Sequence, residues 1–288
     1  MTMTGQTAMT EGSVACLGPH GFHRLRYVEW AGPKGAPVVL CTHGLTRNAR
    51  DFDALAASLS RHYRVVCPDF PGRGNSEWLS HPEDYGYPLY MADIVTLIAR
   101  LGVEEVDWIG TSMGGLVGMM TAAQPGAPIR RLILNDIGPL VPKTALELLK
   151  TYVGLNPSFA GLDEAEAHMR YTHAGFGPMA DRWWRHLTRH AVREKPDGTL
   201  GFAYDPRIAD TLQGEIQDVD LWGVWDRIKC PVLLLRGAQS VFLRADDAKA
   251  MTDRGPGAKL VEFPGVGHAP SLTTDDQIEA VERFLEGG

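Results

Sequence analysis

From residue 35 onward the chain alternates short continuous apolar runs with stretches of helical period. The apolar runs are PVVLCTH (37–43), YRVVCPDF (63–70), VDWIG (106–110), RRLILND (130–136), CPVLLLRG (230–237) and AKLVEFPG (258–265). Each is the length of a strand and shows no polar alternation, the mark of a strand buried on both faces. Between them lie helical patterns. In 47–62 the apolar positions Phe52, Leu55, Ala56 and Leu59 recur at a 3.6-residue period. YMADIVTLIARLG (90–102) stops at a glycine, GGLVGMMTAAQ (114–124) follows a strand directly, and DDQIEAVERFLEGG (275–288) ends the chain. Such alternation predicts an α/β protein with a mostly parallel sheet covered by helices on both faces. HRLRYVEWAG (23–32) predicts leading antiparallel strands.

One stretch breaks the rhythm. From about residue 138 to 224 no strand pattern stands out. The segment is helical, rich in Trp, Tyr, Phe and His, and punctuated by Pro and Gly. A helical insertion of this length between two strands reads as a cap over the strand ends. The expected organisation is therefore a mobile tail over 1–12, a core formed by 13–137 and 225–288, and a cap over 138–224. Most cap aromatics pack the cap itself; Trp183 and Trp184 are the candidates for lining a pocket beneath it.

Charge and cysteines narrow the function classes. The net charge is −7 and no dense Lys/Arg cluster occurs, so a nucleic-acid partner has no electrostatic footprint. Of four cysteines, Cys41, Cys67 and Cys230 sit in or beside apolar runs, where a thiol packs as a small hydrophobe. No CxxC pair exists, so neither metal nor redox chemistry is indicated, and a reducing, cytoplasmic setting is expected. The N-terminus lacks the charged start and apolar centre of a signal peptide. No apolar stretch reaches the ~20 residues that cross a bilayer. A homo-oligomer is left open.

The chemistry gathers at three places. Gly110-Thr111-Ser112-Met113-Gly114 joins a strand to a helix, so Ser112 stands on a tight turn at the positive end of that helix. A side chain at either glycine would collide with the turn. Thr42-His43-Gly44-Leu45 ends an earlier strand, and the backbone N–H groups of Leu45 and Met113 are the candidate oxyanion donors. His43 itself is expected to be structural. His268, in the glycine-flanked loop PGVGHAP after the last strand, is the candidate general base.

With these motifs in view, the chain resembles the α/β-hydrolase family over nearly everything from His23 to Leu285. The resemblance rests on HGLT, PDFPGRGNS, GTSMGG and VGHAP in the family's order. GLTRNARDF, LNDIGP and YDPRIA further resemble a bacterial subgroup of capped serine hydrolases commonly assigned as esterases. The resemblance implies an eight-stranded, mostly parallel sheet, a cap between strands six and seven, a Ser–His–acid triad, and no cofactor or metal.

The acid is where this chain departs from the pattern. The family usually places it after strand seven, often as a Ser-Asp pair, and here Ser240 is followed by Val241. The alternatives are Asp246 or Asp247 at the start of the next helix, Asp136 at the end of strand six, or no acid at all. Asp136 is expected, because strand six neighbours strand five and its tip lies beside Ser112. The bland role for Asp136 is a turn hydrogen bond as the chain leaves the sheet. Asp69 and Arg73 in PDFPGRGNS are expected to brace their loop. Arg47 and Asn48 either touch substrate or cap the following helix; Asn48 is a good N-cap.

These residues imply a serine hydrolase that cleaves an ester or lactone with a hydrophobic acyl or aryl group through an acyl-enzyme. Two alternatives stand beside it. One is a C–C bond hydrolase acting on ring-cleavage diketones with the same triad. The other, which Val241 keeps open, is a ligand sensor that has lost catalysis.

Overall fold

A computed structural model describes residues 9–287. Eight strands form one sheet: β1 (Met9–Gly18), β2 (Gly21–Trp30), β3 (Val38–Thr42), β4 (Arg64–Asp69), β5 (Val106–Thr111), β6 (Ile129–Asn135), β7 (Val232–Gly237) and β8 (Lys259–Phe263). Their spatial order is β1-β2-β4-β3-β5-β6-β7-β8. β2 is antiparallel to β1 and to β4, and every later pairing is parallel. The antiparallel leading strands and the parallel remainder match the reading of the apolar runs.

The expected tail is a correction. Residues 1–8 lie outside the described residues, but 9–12 belong to β1, with Met9 opposite Trp30 and Gly12 opposite Tyr27. A mixed polar sequence hid this strand, because β1 is an edge whose backbone pairing does not depend on burying side chains. Gly12 helps directly. A Cβ there would lie 2.3 Å from Cζ of Tyr27, so glycine lets that ring lie across the strand.

The sheet is covered on both faces, which explains its uniformly apolar strands. Successive residues point to opposite faces. Trp108, Leu132, Leu134 and Leu234 pack in one core with α2 (Tyr87–Leu101) and α3 (Met113–Ala122). Ile109, Ile133, Leu233 and Leu235 pack in the other with α1 (Asp53–Leu59) and the C-terminal helix (Asp275–Glu286). Helix α2 carries a proline in its first turn and ends at Gly102 with φ 72°, a left-handed stop that favours glycine.

Between β6 and β7 the chain leaves the sheet and forms α4 (Lys143–Lys150), α5 (Leu162–Thr172) and α6 (Asp181–Ala191). Two short antiparallel ladders also occur here: Leu140–Val141 with Val219–Asp220, and Val192–Glu194 with Leu200–Phe202. The sequence pattern missed them because two or three residues carry no readable period. Backbone bonds tie the segment to core loops, including Gly74 N–H to Ala203 O, Asp205 N–H to Gly72 O and Gly267 N–H to Gly175 O. Helices α7 (Ala245–Asp253) and α8 (Asp275–Glu286) complete the core. Among the described residues no helix is long and apolar enough to cross a membrane.

Candidate active site

The turn from β5 to α3 is built by close approach. A Cβ at Gly110 would lie 2.5 Å from the Gly114 backbone, and one at Gly114 2.2 Å from Thr42 O. Between them Ser112 has φ 51° and ψ −117°, a conformation that non-glycine residues seldom adopt and that lifts its side chain clear of the sheet. Underneath, the buried Trp108 indole N–H donates to Thr42 Oγ1 at 2.9 Å, and Thr42 Oγ1 donates to Gly114 O at 3.1 Å. This polar chain locks the ends of β3 and β5 to the start of α3.

His268 meets Ser112 and Asp136 at once. Its Nε2 is 2.9 Å from Ser112 Oγ, and its Nδ1 is 2.7 Å from Asp136 Oδ2. Because a carboxylate only accepts, the ring proton sits on Nδ1 and Nε2 accepts from the serine hydroxyl. Asp136 is fully buried and has φ 57°. Gly237 N–H donates to its Oδ1 at 2.9 Å, and the Ser240 hydroxyl donates to its Oδ2. The sheet register explains the meeting. Asn135 lies opposite Leu235 in the β6–β7 pair, so the next residue of β6 arrives at the end of β7.

The other acids lie elsewhere. Asp247 sits in the first turn of α7 and accepts from Arg244 Nε at 2.7 Å; Asp246 occupies the same turn. Val241 lines the cavity and is 54% exposed. Its neighbour Ser240 is the residue sequence reasoning undervalued. The serine before the vacant acid position supports the acid that arrives from β6. Phe242 was also missed; its ring stacks on His268 with centroids 3.9 Å apart. So was Asn135, whose Nδ2 donates to Thr111 Oγ1 at 3.0 Å and to Pro270 O at 2.9 Å, joining the β5 tip to the histidine loop.

The turn after β3 is held as firmly. His43 is fully buried, and burial pushes its imidazole down to about 3, so it is neutral. Phe70 N–H donates to its Nε2 at 2.9 Å, which leaves the proton on Nδ1 to donate to Gly44 O at 2.7 Å. Arg47 N–H also donates to Gly44 O. In a trans peptide the C=O and N–H point in opposite directions. Pinning Gly44 O therefore aims the Leu45 N–H the other way. Met113 is the first residue of α3, so its N–H is one of the donors a helix start leaves over.

Asp69 and Arg73 brace their loop separately rather than as a pair. Asp69 accepts from the N–H groups of Ala49 and Asn75, while burial raises its carboxyl to about 6. Arg73 is fully buried, donates to Leu45 O at 2.8 Å and Tyr90 OH at 2.7 Å, and lies over the Tyr85 and Tyr90 rings.

Two cavities meet at Ser112. One, of about 870 Å³, is lined by Leu45, Arg47, Asp51, Leu148, Tyr152, His173, Phe176, Leu187, Val241 and His268. The other, of about 540 Å³, runs past Leu45, Met113, Tyr87, Leu116, Ile137, Leu146 and Ile216. Residues from the β6–β7 insertion thus form walls of both. His173 is kept neutral by burial and by the Arg47 charge.

Of the four residues named for substrate contact, only Arg47 lines a cavity. Its guanidinium is already engaged by Asp51, at 2.8 Å and 2.6 Å. Asn48 caps instead: its side chain accepts from Arg50 N–H at 3.0 Å and donates to His190 O at 3.0 Å. Trp183 and Trp184 line neither cavity, which corrects the expectation for them. Helix α6 turns Leu187 to the cavity, while Trp184 is buried against Phe176 and Trp183 packs on His186.

A serine hydroxyl on a strained turn, bonded to an imidazole that is itself bonded to a buried carboxylate, is the arrangement of a hydrolase on this type of sheet. The chain belongs to the alpha/beta hydrolase family, whose model matches residues 38–283. It is 43% identical over 286 residues to a 3-hydroxybutyrate-oligomer hydrolase of Cupriavidus necator, covering 96% of this chain and 97% of that protein. Among solved structures it is similar to a Rickettsia typhi protein classed as a hydrolase, with TM-score 0.91 and 33% identity over 98% of this chain and 99% of that one. An alpha/beta hydrolase from Novosphingobium aromaticivorans gives TM-score 0.87 and 35% identity, again over 98% and 99% of the two chains.

Proposed function

We propose that the protein is a serine carboxylic-ester hydrolase working through an acyl-enzyme. Ser112 Oγ attacks the ester carbonyl carbon while His268 Nε2 takes the hydroxyl proton. The imidazolium formed is stabilised by Asp136, which stays ionised. The N–H groups of Leu45 and Met113 receive the oxyanion, where charge develops only in the transition state. His268 then protonates the leaving alkoxide. Water repeats the sequence on the acyl-enzyme, with His268 again as base, and frees the acid. The observation that carries this reading is the unbroken chain Ser112 Oγ–His268–Asp136, with links of 2.9 Å and 2.7 Å, at the junction of two cavities.

The substrate class follows from those cavities. One side of Ser112 is walled mainly by aliphatic and aromatic groups and the other mixes apolar walls with Arg47, Asp51 and His173. This suits a small aliphatic ester with oxygen functions on one side, such as a short linear oligomer of a hydroxy acid, and the similarity to the C. necator protein supports it. In this reading residues 138–224 act as the cap. The four free cysteines fit a reducing, cytoplasmic setting. Val241 lends the sensor alternative little weight once Asp136 holds His268.

The test is a panel of p-nitrophenyl esters of rising acyl length, together with linear 3-hydroxybutyrate dimer and trimer. Ser112→Ala is the control. Turnover lost by about 10⁴-fold or more in that variant is expected. Ester hydrolysis unchanged in Ser112→Ala would sink the proposal, and turnover of ring-cleavage diketones but not esters would favour the C–C hydrolase.

A further inference from the structure

Helix α6 carries His186 and His190, four residues apart and therefore on one face. Asp53, the first residue of α1, faces them from the core. His186 Nε2 is 2.9 Å from Asp53 Oδ2, and the two imidazole centroids are 4.7 Å apart. One ligand atom from each of the three residues lies within 4.8 Å of the other two. All three are half-buried. Two imidazoles and a carboxylate form a donor set suited to zinc, with water as the fourth ligand.

We propose that Asp53, His186 and His190 form a divalent zinc-binding site that fastens the inserted segment to the core. Tetrahedral coordination at roughly 2.0–2.1 Å sets ligand atoms about 3.3 Å apart. Ligand atoms that lie within 4.8 Å of one another must close to that as the ion binds. The metal takes the lone pair of one ring nitrogen of each histidine. One group opposes the ion. The Arg50 guanidinium donates to both Asp53 oxygens, at 2.9 Å from Nε and 2.6 Å from Nη2, and must give way for the carboxylate to bind metal.

The site is coupled to the larger cavity by chain connectivity. Phe52 and Leu187, the immediate neighbours of Asp53 and His186, both line it. An ion bridging the pair therefore fixes the position of one lining element relative to the other. Of the three His/Cys/acid groupings among the described residues, this is the one that joins core to insertion.

The experiment is calorimetric titration with Zn²⁺ alone, so its outcome does not depend on the proposed esterase activity. All proteins carry His81→Ala, which removes the exposed His20/His81/Glu83 grouping as a competitor. One site is expected in that background. His190→Ala weakens it at least 10-fold, and Arg50→Gln tightens it at least 3-fold because a competing cation is gone. No zinc uptake in the parent, equal affinity in His190→Ala, or weaker binding in Arg50→Gln would overturn the proposal. Circular dichroism of each variant at equal concentration separates loss of the site from loss of the fold.

Discussion

The floor and the roof of the cavity are made on different terms. The floor, at the tips of β5, β6 and β7, holds Ser112, Asp136 and Gly237 by backbone register, positive-φ turns and buried hydrogen bonds. Contacts there are backbone-tight, as at Gly110 and Gly114. The roof, from the β6–β7 insertion, relies on short helices, ladders of two and three residues, and partly exposed ion pairs such as Arg170–Glu166 and Arg185–Asp163. Exposed pairs of this kind are screened by solvent and add little to stability. In the proposed mechanism the floor fixes the reacting atoms and the roof shapes the space above them.

That contrast is sharpest at the carboxylate. Asp136→Asn is expected to lower kcat by about 10³–10⁴-fold, because an amide no longer holds the Nδ1–H tautomer or offsets the imidazolium. Asp247→Asn, on α7, should change kcat by less than about 2-fold, since its partner is Arg244. Steady-state ester kinetics on both variants decide it, and equal losses would erase the distinction.

The packing of the floor gives the next effect. A Cβ at Gly118 would lie 2.6 Å from Trp108 Nε1, against the indole that bonds Thr42. Gly118→Ala should destabilise the protein by about 1–3 kcal/mol, read as a lower urea midpoint at unchanged slope. A neutral result would mean that the floor yields as readily as the roof.

Acid probes the same burial. His43 titrates near 3 when folded, while an unfolded histidine titrates near 6.5. Between those values the unfolded chain binds a proton that the folded chain refuses, so stability falls as pH drops. His43 contributes in full above about 6.5. Asp69, raised to about 6, acts in the opposite sense between about 6 and 4, where the folded state takes up the proton first. The His43 effect begins at the higher pH, so the urea midpoint is expected to fall from pH 7 to pH 5, with His43 alone lowering the unfolding free energy by at most about 1.4 kcal/mol per pH unit. A midpoint that rises on acidification would contradict the assignment.

The smallest effect belongs to the roof. Leu148, on α4, lines the larger cavity and is 45% exposed. Leu148→Ala should raise KM about 2–5-fold for hydrophobic esters and leave kcat nearly unchanged, the sign of lost uniform binding. A large kcat loss would place the roof among the groups that set the chemistry.

The sequence by itself determined the order of the core strands and helices from Gly35 onward, because burial on both faces of a sheet and on one face of a helix leaves different periods. It also marked Ser112, because a turn as tight as the one after β5 demands glycines at fixed spacing, and His268, from its glycine-flanked loop between the last strand and the last helix. It favoured Asp136 over Asp246 and Asp247 on strand order alone. Only tertiary structure supplies the contacts: Ser240 and Asp136 are 104 residues apart and meet through the β6–β7 register, while His268, 132 residues from Asp136, arrives from the loop after β8. The same reason explains Trp183 and Trp184. Composition showed that the insertion is aromatic, but the rotation of α6 against the core decides which of its residues face the cavity, and no local pattern encodes that rotation.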